Sequence, residues 1–231
     1  MRSTSDETSA TPPDATPATT AGVRRHEAAP RARGAARPAP RADARRNRQA
    51  VLDAALAVFA SDPAATVAQV AHAAGVGRVT LYGHFPTRED LVRAALDEAV
   101  DRARRALARS GVVDASGAVA AAGDPVGALG ALLGAGWSAL AEGHGAVEAA
   151  CRVLPAAEVD ARHEPVVAPL RTVLAEGRAA AAVRDDVALD WLVAAVSALV
   201  HAAAQQRAAG LLDHDEATRT LTLSVLALVR A

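Results

Sequence analysis

Between the turn signals Gly75-Val76-Gly77 and Pro86 the chain sets Arg78, Thr80, Tyr82 and His84 on one short rod, together with Val79 and Gly83. An arginine guanidinium can donate in bidentate fashion to guanine O6 and N7, and a threonine can meet a thymine methyl or a phosphate. The chemistry on offer is therefore recognition of duplex DNA rather than bond making. Arg45, Arg46 and Arg48 upstream and Arg88 downstream add cations that could neutralise phosphates. Other reactive residue types form no pattern. His72, His84, His144, His163, His201 and His214 contain no H-x-x-x-H pair, and the chain has neither a nucleophile elbow nor a phosphate-cradling glycine loop. The glycine-rich run 127–134 falls in an apolar, helix-like stretch with no strand before it. The single cysteine, Cys151, excludes an internal disulfide and a cysteine-rich metal site, and reads as a buried small hydrophobe in a reducing compartment. No catalytic residue, metal or cofactor is expected.

A rod of this kind must be held by other elements, and the sequence supplies helices. Asp43 is a plausible N-cap, after which Leu52, Ala55, Leu56 and Phe59 recur at helical spacing until Pro63. Thr66 caps a second, short helix with Val67, Val70 and Ala71 on its apolar face, and the amides at such a helix start can hold a phosphate. Gly75 permits a left-handed turn. Arg78 to Phe85 forms the third helix, with Val76 and Leu81 beneath it in the core. Two short helices joined by a glycine turn form a helix-turn-helix, whose second member fits a major groove about 12 Å wide. Thr87 caps a fourth helix running to about Arg109. Residues 111–124 read as a loop. Helical patterns then cover roughly 125–142, 146–154, 163–182, 188–209 and 213–230. Signals for strands and for 20–50-residue repeats are missing, so the expected fold class is all-α.

Composition agrees with this. The chain has 231 residues, 51% hydrophobic but only 2% aromatic, so its apolar content is mostly Ala, Val and Leu, which suits close-packed helices. Charge is uneven. Residues 21–50 carry nine Arg against two acids, and residues 111–231 carry eight Arg against fourteen. A basic front and an acidic rear suit a bipartite protein whose N-terminal end meets a polyanion, or a solvated tail on an acidic globule. Residues 1–41, rich in Pro, Thr, Ser and Arg, bury too little apolar surface to order and are expected to be a disordered tail. No run reaches the ~20 apolar residues of a membrane helix, the longest candidate, Pro125 to Ala141, being uncharged but short and glycine-rich, and the N-terminus lacks a secretory h-region. A cytoplasmic location is expected.

The 26 residues Thr66 to Leu91, TVAQVAHAAGVGRVTLYGHFPTREDL, resemble the DNA-binding domain of the TetR family of transcriptional regulators. The matching residues are Thr66, Val70-Ala71, Ala74-Gly75-Val76, Thr80-Leu81-Tyr82, His84-Phe85, Arg88-Glu89 and Leu91. Gly77 stands where the family often has Ser, and Gly83 where a larger residue is common. The resemblance implies a DNA-binding domain over 42–88 and a helical effector-binding and dimerisation domain over 89–231. It implies that Tyr82 and His84 touch the DNA backbone and that Arg88 holds a phosphate. The expected partners are double-stranded DNA with a palindromic operator, a small, apolar or weakly polar effector, and a second copy of the chain. The apolar stripes Leu192, Val196 and Leu199, and Leu221, Val225 and Leu228, are expected to form the dimer interface. Leu133, Trp137, Cys151, Arg152, His163, Arg171 and Trp191 are the candidates for the effector pocket. Repression is favoured over activation. The competing readings are a helix-turn-helix interaction protein that has lost DNA binding and an all-α enzyme.

Overall fold

The apolar periodicity and the caps produce eight α-helices in the computed structural model, which describes residues 40–114, 119 and 124–230. They are α1 (Pro40–Ser61), α2 (Val67–Ala73), α3 (Arg78–His84), α4 (Arg88–Arg109), α5 (Pro125–Val153), α6 (Ala156–Ala179), α7 (Leu189–Ala208) and α8 (His214–Val229). Almost all of the expected tail and most of the 111–124 loop lie outside the described residues. Three helices begin on reciprocal capping boxes: Thr66 with Gln69, Thr87 with Asp90, and Asp213 with Glu216. Each box satisfies amides that the helix itself cannot, typically worth about 1 kcal/mol. Asp124 caps α5 alone, through the amides of Val126 and Gly127, with Pro125 in the first turn. No described helix is long and apolar enough to cross a membrane.

The core has two parts that share helices. The first joins Leu52, Phe59, Val70, Leu81, Phe85 and Leu91 of the N-terminal helices to Ala146, Ala149 and Ala150 in the second half of α5. The second gathers Leu107 of α4, Leu129, Leu133 and Trp137 of the first half of α5, and the inner faces of α6, α7 and α8. Helices α4 and α5 therefore run through both. Trp137 is fully buried, stacked on the His214 ring at 5.9 Å, and its indole N–H has no partner among the described residues.

Several expectations need correcting. The segments 125–142 and 146–154 are one helix of 29 residues. Gly143 and Gly145 look like breaks but mark close packing: a Cβ on Gly145 would overlap the Phe59 carbonyl of α1, and one on Gly143 would lie 3.0 Å from Ala99 Cβ of α4. Helix α6 begins at Ala156, well before the expected 163, and keeps Pro165 and Pro169 inside it. It stops at Ala179, short of 182, where Ala181 turns left-handed at φ 54°. The dimer stripe is also corrected. Leu192, Val196 and Val225 have no exposure and Leu221 has 3%, because they pack inside one chain, α7 against α5 and α6 and α8 against α5 and α7 (Leu199 and Leu228 are half-buried). Cys151 is exposed rather than buried. Its place on α5 points away from both cores.

Gly145→Ala is expected to destabilise the fold by about 1–3 kcal/mol, since the added methyl meets backbone and cannot be accommodated cheaply. Gly134→Ala, in the same helix with open space around its Cα, should stabilise it by about 0.5–1 kcal/mol through helix propensity. Urea unfolding of both variants separates close packing from propensity.

Candidate nucleic-acid interface and interior cavity

Helix α3 is held from below by one residue. Leu81 is fully buried, whereas Val79 is 89% and Tyr82 48% exposed, and Arg78, Thr80 and Gly83 are also exposed. His84 is half-buried, its ring 6.3 Å from that of Phe85, which anchors the end of the rod. The turn before α3 is set by backbone. The Gly75 N–H donates to His72 O and the Val76 N–H donates to Ala71 O, with Gly75 at φ 65°. This closes α2 in a Schellman motif, which needs a left-handed residue and explains the glycine. The α3 start at Gly77 has no side-chain cap, so its first amides are not taken by a capping side chain. An exposed valine and tyrosine beside Arg78 and Thr80 make a face suited to contact rather than to solvent.

The arginines divide. Arg45, Arg46 and Arg48 are exposed on the first turns of α1. The Arg48 guanidinium lies 5.2 Å over the Phe85 ring, so α1 brings a cation beside the end of α3. Arg46 pairs with Asp43. Arg88 turns inward: its guanidinium donates to Ala64 O at 3.0 Å and Pro63 O at 3.2 Å, and its Nε is buried without a partner. It ties the α1–α2 loop to α4 and has fewer donors left for a phosphate than the sequence suggests. The Thr66 hydroxyl is likewise engaged with Gln69 in its capping box.

A second feature lies inside the helical bundle. A cavity of about 80 Å³ is bounded by α4 (Ala99, Val100, Ala103, Leu107), α5 (including Leu133 and Leu140), α6 (His163, Val166, Leu170) and α7 (Val196, Ser197, His201). Of the sequence candidates only Leu133 and His163 line it. Trp137 belongs to the neighbouring core. Cys151 and Arg152 line an adjoining open groove with His144, Glu148 and Gln205, and Val147 and His201 border both spaces. Arg171 pairs with Asp190 and Glu164, and Trp191 is 62% exposed. The lining carries no Arg, Asp or Glu among the described residues, so neither Arg152 nor Arg171 is brought to the cavity. Sequence reasoning misses His201 as a lining residue, since its partner His144 lies 57 positions away and no local spacing links them. His144 Nδ1 and His201 Nδ1 are 2.8 Å apart, and the His163 and His201 ring centroids are 6.2 Å apart. Burial, with neighbouring His144 and His163, pushes His201 down to about 4, and burial lowers His144 and His163 as well.

The chain thus combines an exposed α3 on a helix-turn-helix with a helical bundle that encloses a cavity. Residues 51–95 match the family model described as bacterial regulatory proteins, tetR family. The chain thus carries a tetR-family N-terminal domain. The HTH-type transcriptional repressor LfrR of Mycolicibacterium smegmatis is 44% identical to this chain over 75 residues, which cover 31% of this chain and 40% of that protein. The aligned stretch thus spans about two fifths of the relative's length. The TetR-like transcriptional regulator LfrR from Mycobacterium smegmatis, solved in complex with proflavine, superposes with a TM-score of 0.59 at 22% identity, covering 81% of this chain and 98% of that one. The TetR-family regulator PfmR from Thermus thermophilus gives 0.58 at 20% identity, covering 77% and 97%. The chain as a whole has the fold of TetR-family regulators.

The histidine cluster sets a pH dependence. His201 titrates near 4 in the fold against an ordinary 6.5, so the unfolded chain takes up the proton first. Its contribution to stability is complete above about 6.5 and is lost as pH falls towards 4. The melting temperature should drop across that window, and His201→Phe should flatten the drop.

Proposed function

We propose that the protein is a sequence-specific DNA-binding transcriptional regulator, a homodimeric repressor acting in the cytoplasm and released from a palindromic operator by a small molecule. The observation that carries this is the α3 surface: one buried leucine beneath, and Arg78, Val79, Thr80 and Tyr82 facing out. Arg78 reads bases; Tyr82, the α3 amides and Arg45 and Arg48 of α1 hold the backbone. One such rod reads few base pairs, and a two-fold pair reads two half-sites about a helical turn apart. The cavity is the effector site. Its support is position: α4 leaves the helix-turn-helix and lines the cavity with Ala99, Val100, Ala103 and Leu107. A ligand that prefers one tilt of α4 thereby prefers one spacing of the two rods, and differential affinity is all that a switch requires. The structural neighbour solved with proflavine supports a small-molecule role for this kind of bundle.

The dimer face is reassigned to the outward strips of α7 and α8. Trp191 is 62% and Leu223 63% exposed, and Ala194, Ala198, Ala202 and Ala227 are exposed on the same two helices. Small residues with two large apolar anchors suit close helix packing between copies.

Binding to random-sequence duplex pools should select an inverted repeat, with affinity falling steeply as salt rises. Arg78→Ala should cost about 1–3 kcal/mol and relax base choice at one position, leaving the melting temperature unchanged. A protein that ignores every duplex at low salt would instead be an interaction module. For the dimer, Leu223→Arg should give a folded monomer by light scattering, whereas Leu192→Arg should unfold the bundle. Dimeric mass retained by Leu223→Arg removes this interface.

A further inference from the structure

His201 lies between the cavity and the adjoining open groove, and the groove side of it has a defined hydrogen-bond polarity. Glu148 accepts a hydrogen bond from Gln205 Nε2 at 2.7 Å, which fixes its carboxylate, and His144 Nε2 lies 3.4 Å from it. A carboxylate there favours the proton of neutral His144 on Nε2 and leaves Nδ1 as an acceptor. Across the 2.8 Å contact the His201 Nδ1 must then be the donor. A neutral imidazole has one donor and one acceptor, so the remaining nitrogen of His201, Nε2, is a bare acceptor. That nitrogen has no partner among the described residues and is not among their sealed polar atoms. His163 stands beside it on the cavity wall with no hydrogen bond of its own among the described residues and supplies an N–H. The rest of the lining is aliphatic apart from Ser197, whose hydroxyl already donates to Val193 O at 2.8 Å.

We infer that the cavity takes an uncharged apolar molecule bearing a hydroxyl group, which donates to His201 Nε2 and accepts from His163, with Glu148 and His144 as positioning residues that set the acceptor. This rests on reading the cavity as the effector site. A hydroxyl matches both histidines. An ether offers no donor, and a carboxylate neither donates nor meets a cation, because no arginine lines the space. Both cavity histidines are held neutral near pH 7 by burial, which also disfavours an anionic guest.

The test uses the full-length protein and four probes of similar size: phenol, toluene, anisole and benzoate. Nitrogen-15 NMR of labelled histidine reads the tautomers directly. The expected spectrum has His201 protonated on Nδ1 and bare on Nε2, with the Nε2 signal moving on addition of phenol. By calorimetry phenol should bind about tenfold tighter than toluene or anisole, the scale of one made or missing hydrogen bond, and benzoate should be weakest. His201→Phe should abolish the preference for phenol over toluene. Glu148→Gln should mix the His144 tautomers and reduce that preference. His201 protonated on Nε2, equal affinity for phenol and toluene, or no response to any probe overturns the assignment. A phenol preference with operator binding unaffected by phenol upholds this chemistry and removes the effector reading of the cavity instead.

Discussion

The structure depends on how closely the backbone of α5 approaches α1 and α4. At Gly145 the helix meets the Phe59 carbonyl, and two residues earlier Gly143 meets Ala99. No side chain fits between, so the last turns of α1 and the middle of α4 are fixed against one rigid rod. Dispersion over such a contact is collectively large, although each atom pair adds little. The same rod then carries Leu129, Leu133 and Trp137 into the second core. The N-terminal helices and the helical bundle are thus braced by a single element.

Legibility in the sequence follows how local each determinant is. The helix-turn-helix can be read because its causes lie within a few residues: the Thr66 and Thr87 capping boxes, the left-handed Gly75, and Leu81 beneath an otherwise exposed rod. The long α5 cannot. Two glycines in a helix cost about 1 kcal/mol each relative to alanine, and only contacts with residues about 40 to 90 positions away explain their presence. Periodicity shows that α7 and α8 are amphipathic but not what their apolar sides meet; Leu192, Val196, Leu221 and Val225 are taken up by the chain's own bundle, with α5 facing both helices. The sequence points Arg88 at phosphate because its charge is visible there and its acceptors, the carbonyls of Pro63 and Ala64, are not.

Helix α4 sits where these parts meet. Arg93 bonds Glu158 at 2.7 Å and Arg162 bonds Asp97 at 2.6 Å, linking α4 to α6, while Arg102 pairs with Asp53 of α1. Such partly exposed pairs contribute little stability. Their effect is geometric: they specify the register of α4 between α1 and α6, a helix of the cavity wall. One face of α4 is packed under the recognition rod's domain and a later stretch of that helix borders the cavity, so a small rotation of one rod is felt at both ends.

The two tryptophans occupy opposite environments. Trp137 is sealed in the interior against His214, and Trp191 stands in solvent on the outer side of α7. The chain consequently carries two intrinsic fluorophores with separable emission: a red-shifted signal from the outer indole, sensitive to whatever comes to cover α7, and a blue-shifted one from the inner indole, sensitive to the integrity of the bundle. Events at the outer face of α7 and rearrangement of the interior can be followed in one spectrum without any added label.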